Sequence, residues 1–156
     1  EDHPYTLEAM NQLGALFDVQ GRQADAEPLY REALERRRRV LGEDHYDTLV
    51  SMMNVANMLA VRGRHADAEA LLREALDRVR RVLGENHPLA VGTLYNLGCL
   101  AARRGDRSGA LDWLGQAVTH GYSRPDTMTK DSDLQRLRGD PAFEALVARA
   151  RENSGK

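Results

Sequence analysis

Residues 38–49 read RRVLGEDHYDTL, and residues 80–91 return to the same phrase as RRVLGENHPLAV. The two phrases begin 42 residues apart. When residues 1–41 are aligned with residues 43–83, 23 of the 41 positions are identical. A fixed period of this length is typical of proteins built from stacked units. The repeat therefore decides the fold, and each copy can be interpreted as one structural unit.

Glycine occurs at regular positions in each copy of the repeat. It recurs at the 42-residue spacing in two series: Gly21, Gly63 and Gly105, and Gly42 and Gly84. Before each glycine of the first copy, apolar side chains follow the three-and-four spacing of a buried helical stripe, and a glycine after such a stripe is typical of a helix end. The pattern predicts one helix over residues 5–20 and a second over residues 23–41. We expect two antiparallel helices per repeat and no strand.

Three further positions of the repeat carry only small residues. They are Gly14, Ala26 and Ala33, then Ala56, Ala68 and Ala75, then Gly98, Ala110 and Ala117. Helix axes that cross about 8–10 Å apart leave no room for large side chains at the crossing. These positions are therefore predicted to lie where helices pack.

The spacing of Gly14, Gly21, Ala26 and Ala33 resembles the tetratricopeptide repeat. The 42-residue length, the LGEDH between copies and the second-helix phrase GRQADAEPLYREALERR resemble the repeats of kinesin light chains and of many bacterial regulatory proteins. The resemblance covers residues 1 to about 118. It implies an all-α fold, a right-handed α-solenoid of three antiparallel helix pairs with C-terminal capping helices.

We predict repeats over residues 1–41, 42–83 and 84–120 and a C-terminal segment over residues 121–156, all in one domain. Solenoid ends need a cap, because the last repeat would otherwise expose its apolar face.

Within the C-terminal segment, Pro125 and the Ser/Asp-rich stretch predict a turn, and residues 133–138 a short helix. Asp140 and Pro141 are typical of an N-cap and first helical position. This segment also resembles tails of bacterial multidomain proteins, including some serine/threonine kinases.

Composition excludes several classes of partner. The chain has 22 basic and 24 acidic residues and a net charge of -2, which offers no broad electrostatic surface for nucleic acid or an anionic membrane. We expect the ERRRR run at residues 35–39 to be solvated, with the stem of Arg37 covering apolar surface because Arg37 aligns with Val79. With one cysteine and no apolar run long enough for a membrane span, we expect a cytoplasmic protein.

No catalytic, metal or cofactor site is predicted. The histidines of the inter-repeat loops each stand beside an acid, but a zinc site needs three or four converging ligands. We interpret them as turn residues. Cys99 lies on a first helix, where it is interpreted as a small packing or groove residue rather than a nucleophile. We expect the chain not to be an enzyme.

The resemblance implies that the first helix of each repeat lines a concave groove for an extended peptide or a partner helix. The groove residues carried over are Asn11, Asp18, Met53, Asn54, Asn57, Tyr95, Asn96 and Arg103. Side-chain amides can pair with a peptide backbone whatever its sequence, because they both donate and accept. For Asn54 and Asn96 the alternative is a hydrogen bond to a neighbouring helix or loop.

The leading hypothesis is a non-catalytic scaffold that binds a protein or peptide partner. Two alternatives stay open. One is a C-terminal regulatory module of a larger bacterial signalling enzyme such as a serine/threonine kinase. The other is self-association, because no repeat precedes residue 5 and the first helix is expected to present an unpartnered apolar side.

Overall fold

The computed structural model describes residues 3–155 of the chain, and within that range it contains α-helices, one 3₁₀ helix and no strand. The α-helices are α1 (Pro4–Val19), α2 (Gln23–Leu41), α3 (Tyr46–Val61), α4 (His65–Leu83), α5 (Pro88–Arg103), α6 (Arg107–Thr119), α7 (Pro125–Lys130) and α8 (Pro141–Ser154). The 3₁₀ helix (Ser132–Leu137) lies between α7 and α8. The all-α prediction is confirmed. The chain divides into two compact units, the first ending at Arg78 and the second beginning at Val79.

In the first unit, α2 packs against both α1 and α3. Ala26 and Ala33 of α2 and Ala56 of α3 are fully buried. Gly14 of α1 faces a ring: a Cβ added there would lie 3.0 Å from Cε1 of Tyr30. The small positions of the repeat lie where helices meet, as the sequence predicts, because side chains from the facing helix fill the space that a larger residue would need.

The turn after α1 explains the glycine at position 21. Gly21 has a φ of 72°, in the left-handed region that residues with a Cβ rarely adopt. The N–H of Gly21 donates to the carbonyl of Asp18 at 2.9 Å, and the N–H of Arg22 donates to the carbonyl of Phe17 at 2.8 Å. These bonds satisfy carbonyl groups that the helix end would leave without partners. Gly63 repeats the conformation after α3.

The loop histidines start the next helix. Nδ1 of His45 accepts a hydrogen bond from the N–H of Asp47 at 3.2 Å, and Nδ1 of His87 accepts one from the N–H of Leu89 at 3.1 Å. Each ring therefore acts as an N-cap, in the place where serine or aspartate is commoner. The sequence predicted a turn role for these histidines but not this hydrogen bond.

In the second unit, α5 packs along α6. Ala110 and Ala117 of α6 are fully buried. A Cβ added to Gly98 of α5 would lie only 2.7 Å from Cγ of Leu114 on α6. The third copy of the repeat therefore keeps the close helix contact even though its sequence matches the other copies more loosely.

Within the second unit, the C-terminal segment packs against the third repeat through α8, which contacts α6 as well as α7 of the segment itself. The Asp140 side chain accepts from the N–H of Ala142 at 2.9 Å, as its predicted N-cap role requires, and Phe143 is fully buried. The turn predicted at Pro125 is wrong. Residues 125–130 form α7, since proline suits a first helical position and Met128 anchors the short helix in the core.

Candidate functional site

A cavity of about 260 Å³ opens in the first unit, between the end of α1, the start of α2 and the second half of α3. It is lined by both polar and apolar side chains: Asp18, Gln23, Tyr30, Asn54, Asn57, Met58 and Val61. The sequence predicted three of these, Asp18, Asn54 and Asn57, as groove residues. Helical spacing explains why the two asparagines share the cavity, because residues three apart lie on neighbouring turns of one face.

Asp18 and Tyr30 form the acidic side of the cavity. Tyr30 comes from α2 and is 5% exposed, and it lines the cavity together with Asp18, whose carboxylate acts on the Tyr30 hydroxyl electrostatically. Burial, together with this carboxylate, raises the pKa of Tyr30 to about 12. The phenol therefore stays protonated and uncharged at neutral pH, and Asp18 supplies the negative charge on this side of the cavity. Among residues 3–155, no cationic side chain forms an ion pair with Asp18.

Asn54 and Asn57 form the opposite side of the cavity, on α3. Asn54 is half-buried and Asn57 is exposed. Within the described part of the chain, neither side-chain amide makes a hydrogen bond to a neighbouring helix or loop. The bond that a structural role for Asn54 would require is therefore not formed, and both amides face the cavity with donors and acceptors available.

Asn11 lies apart from this cavity. It is 6% exposed, and its Nδ2 donates to Oγ of Ser51 at 3.2 Å. Met53, on the same helix as Ser51, is half-buried and does not line the cavity. The structure thus brings only part of the first unit's predicted set together, and Asn11 instead joins α1 to α3.

Arg37 also reaches this buried junction, and the expectation of a solvated side chain is wrong for it. Arg37 is 3% exposed, and its guanidinium donates to Oγ of Ser51 at 2.9 Å, to the carbonyl of Asp47 at 3.2 Å and to Oε2 of Glu8 at 2.8 Å. The bond from Arg37 holds the pKa of Glu8 below its ordinary value. The alignment of Arg37 with Val79 indicated burial, but it could not indicate these acceptors.

In the second unit, the predicted groove residues meet the chain's own C-terminal segment. The hydroxyl of Tyr95 donates to Oδ2 of Asp131 at 2.8 Å, and Nε of Arg103 pairs with Oδ1 of Asp133 at 2.6 Å. Tyr95 also stacks on Tyr122, with ring centroids 4.6 Å apart. Asn96 is half-buried and, among residues 3–155, its side chain makes no hydrogen bond.

Cys99 lies beneath the same segment. Its Sγ and the carboxylates of Asp131 and Asp133 all lie within 4.8 Å of one another, a grouping that a metal ion could use. The carboxylates already accept from Tyr95 and Arg103. Burial, followed by the charge of Asp131, raises the pKa of the Cys99 thiol, so the sulfur is protonated at neutral pH and packs beneath the segment.

Comparison with known families identifies the repeat. Models of the tetratricopeptide repeat match residues 6–47 and 47–120, which together make up most of the chain. The chain belongs to the tetratricopeptide-repeat family. No curated protein sequence matches it. None of the helices within residues 3–155 combines the length and apolar character needed to cross a membrane.

Solved structures share the fold. BtubC (BKLC) from P. vanneervenii superposes with a TM-score of 0.76 at 22% identity, over 96% of this chain and 63% of that one. A protein from Podosopora anserina, assigned as a kinesin light chain with nearly identical TPR-like repeats, gives a TM-score of 0.71 at 21% identity, over 99% of this chain and 70% of that one. The fold is therefore that of kinesin-light-chain-like repeat proteins, and this chain spans less than two thirds of BtubC.

Proposed function

We propose that the chain is a non-catalytic protein-interaction module that binds an extended peptide or partner segment at the cavity of the first unit. The observation that supports this proposal is that the amides of Asn54 and Asn57, which have no hydrogen-bond partner among the residues that the structure describes, line the same cavity as the carboxylate of Asp18. Polar groups held without protein partners beside apolar surface are what a peptide backbone needs for recognition.

The cavity's size and lining favour a peptide over a larger cofactor. Its 260 Å³ lies just below the range of roughly 300–1,000 Å³ that holds drug-sized ligands. Met58 is fully buried and Val61 is half exposed, so they provide an apolar floor and rim. One partner side chain can enter the cavity while the neighbouring peptide groups bond to the asparagines at its edge.

The experiment is selection of binders from a displayed peptide library, followed by binding measurements with Asn54→Ala and Asn57→Ala. Each lost amide bond is expected to weaken binding by about 2- to 12-fold, as hydrogen bonds contribute about 0.5–1.5 kcal/mol. Gln135→Ala, which removes an exposed amide on the 3₁₀ helix of the second unit, is the matched control and should bind normally. Unchanged binding by both asparagine variants would refute the location.

Met53 extends the proposed surface of the first unit, and Tyr95, Asn96 and Arg103 form a separate proposed surface in the second. For Tyr95 and Arg103 it requires that the C-terminal segment leave them, because Asp131 and Asp133 accept their hydrogen bonds in this structure. Binding variants at Asn96 test the second unit without breaking these bonds.

Self-association is a second candidate, favoured by one face of α1. Tyr5, Leu13 and Leu16 lie on this face and are 82%, 41% and 51% exposed. A second copy of the chain could bury them. Sedimentation over a range of concentrations should show a dimer that Leu16→Glu abolishes and that Val82→Glu, at an exposed valine on α4, leaves intact. A wild-type monomer at all concentrations would refute it.

A further inference from the structure

The carboxylate in the cavity of the first unit is not neutralised by an ion pair with any described residue, unlike those of the first acids of α2. Neighbouring acids on α2 are paired: Asp25 with Arg22 at 2.8 Å and Glu27 with Arg31 at 2.8 Å. Asp18 is half-buried and, within residues 3–155, has no such partner.

The nearest arginine in sequence is held elsewhere. Arg22 pairs with Asp25, and its guanidinium lies over the ring of Phe17, 4.2 Å from the centroid. Arg22 is therefore engaged in two other interactions and does not neutralise Asp18. A cationic group of a ligand can pair with Asp18 instead.

The groups around Asp18 form a set of acceptors with apolar walls. The Asp18 carboxylate lines the cavity beside Tyr30, whose phenol is uncharged at neutral pH and so does not neutralise it. The carbonyl oxygens of Asn54 and Asn57 add neutral acceptors from α3. Met58 and Val61 offer apolar surface to an aliphatic stem, which lysine and arginine carry beneath their charged ends.

We propose that this cavity takes the arginine or lysine side chain of a partner polypeptide, an inference that rests on the proposed function and names the residue that the partner must supply. The ammonium or guanidinium group pairs with Asp18, and its remaining N–H donors bond to the side-chain carbonyls of Asn54 and Asn57. Arginine presents five donors in a fixed fork and suits several acceptors at once, whereas lysine acts as a point charge. The partner peptide is thus basic at one defined position.

The test uses random peptides displayed on phage, selected against the wild-type chain. Selected peptides should share an arginine or lysine at one fixed position. Asp18→Asn should weaken their binding by roughly 10- to 100-fold, the effect of losing a hydrogen-bonded charge pair. Synthetic peptides with citrulline or norleucine at that position should bind the wild-type chain more weakly by the same factor. The same peptides should lose little further affinity when they are tested on Asp18→Asn. Comparing arginine and lysine peptides assigns the preferred cation.

Two variants separate a binding effect from a folding effect. Asp25→Asn also removes one carboxylate, but one that is already paired with Arg22, and it should bind peptides like the wild type. Asp18→Glu keeps the charge and should restore part of the affinity. Affinity should also fall as salt is raised, since the pair is partly exposed to solvent.

The outcomes distinguish this inference from the proposed function. Peptides that depend on Asn57 but carry no basic residue, or that bind Asp18→Asn as well as the wild type, would overturn the cation inference and leave the peptide-binding function standing. Peptides that bind equally to the Asn54, Asn57 and Asp18 variants would overturn both.

Discussion

Asp131 makes two hydrogen bonds that should hold the C-terminal segment in place and that can be separated experimentally, one within the segment and one to α5. Its Oδ1 accepts from the N–H of Asp133 at 3.0 Å and so caps the 3₁₀ helix, while its Oδ2 accepts from the hydroxyl of Tyr95 at 2.8 Å. Asp131→Ala removes both bonds, together with the weak bond from Sγ of Cys99 to Oδ2 at 3.7 Å, whose loss is common to the two backgrounds compared below. It also leaves the Tyr95 hydroxyl without its acceptor, on a residue that is 7% exposed.

The expected cost follows from these two losses. An N-cap contributes about 1 kcal/mol, and a buried hydroxyl left without its partner costs about 1–3 kcal/mol. Asp131→Ala should therefore lower the free energy of opening the segment by about 2–4 kcal/mol. In a Tyr95→Phe background no hydroxyl is stranded, so the same substitution should cost only about 1 kcal/mol.

The assay is the alkylation rate of Cys99 by iodoacetamide. The thiol is 8% exposed beneath the segment, and burial raises its pKa, so reaction proceeds through local opening and its rate reports the open population. The rate should rise roughly 30- to 1000-fold for Asp131→Ala and about fivefold for Asp131→Ala in Tyr95→Phe. Phenylalanine keeps the ring that stacks on Tyr122. Equal increases in the two backgrounds would refute the reasoning.

Two further predictions concern a charge and a helix contact. Because the bond from Arg37 lowers the pKa of Glu8, the stabilisation by Glu8 is present above its ordinary value of 4.5 and is lost as pH falls through the lower native pKa. Urea unfolding of Glu8→Gln should depend less on acid pH than that of the wild type, and identical pH profiles would contradict this. Gly98→Ala and Gly115→Ala gain the same helix propensity, about 1 kcal/mol. The new Cβ at position 98 would lie 2.7 Å from Cγ of Leu114, whereas that at position 115 would make an ordinary contact of 3.9 Å with Cδ2 of Leu146. Gly98→Ala should be the less stable of the two by about 1–3 kcal/mol, and an equal gain by both would show that the contact relaxes freely.

The helices could be predicted because their determinants are local and repeated. Gly21 marks a turn through its own backbone conformation, and Ala26 and Ala33 mark a helix crossing through their own size. Each of these signals recurs 42 residues later, so one copy checks the interpretation of another. The cavity was predictable in part for a different reason, since Asp18 and Asn57 lie at groove positions that the resemblance to the tetratricopeptide repeat implies.

The remaining contacts depend on residues far apart in sequence. Tyr95 meets Asp131 across 36 positions, and Asp131 lies where the period has ended, so no second copy indicates its partner. Tyr30 lies on a second helix, outside the first helices that the resemblance assigns to the groove, and so its place beside Asp18 in the cavity was not predicted. Pro125 predicts a turn, but proline is also common at the first position of a helix. Only the burial of Met128 distinguishes the two structures.

The buried guanidinium of Arg37 fixes the order of the first two repeats. Its acceptor Ser51 belongs to the second repeat, and the first repeat carries Ala9 at the equivalent position. A chain in which the first repeat were followed by a copy of itself would place Arg37 against alanine, and the charge would lose a buried acceptor. The first two repeats are therefore not interchangeable despite their close similarity, because exchanging one for the other would cost a buried cation one of its acceptors.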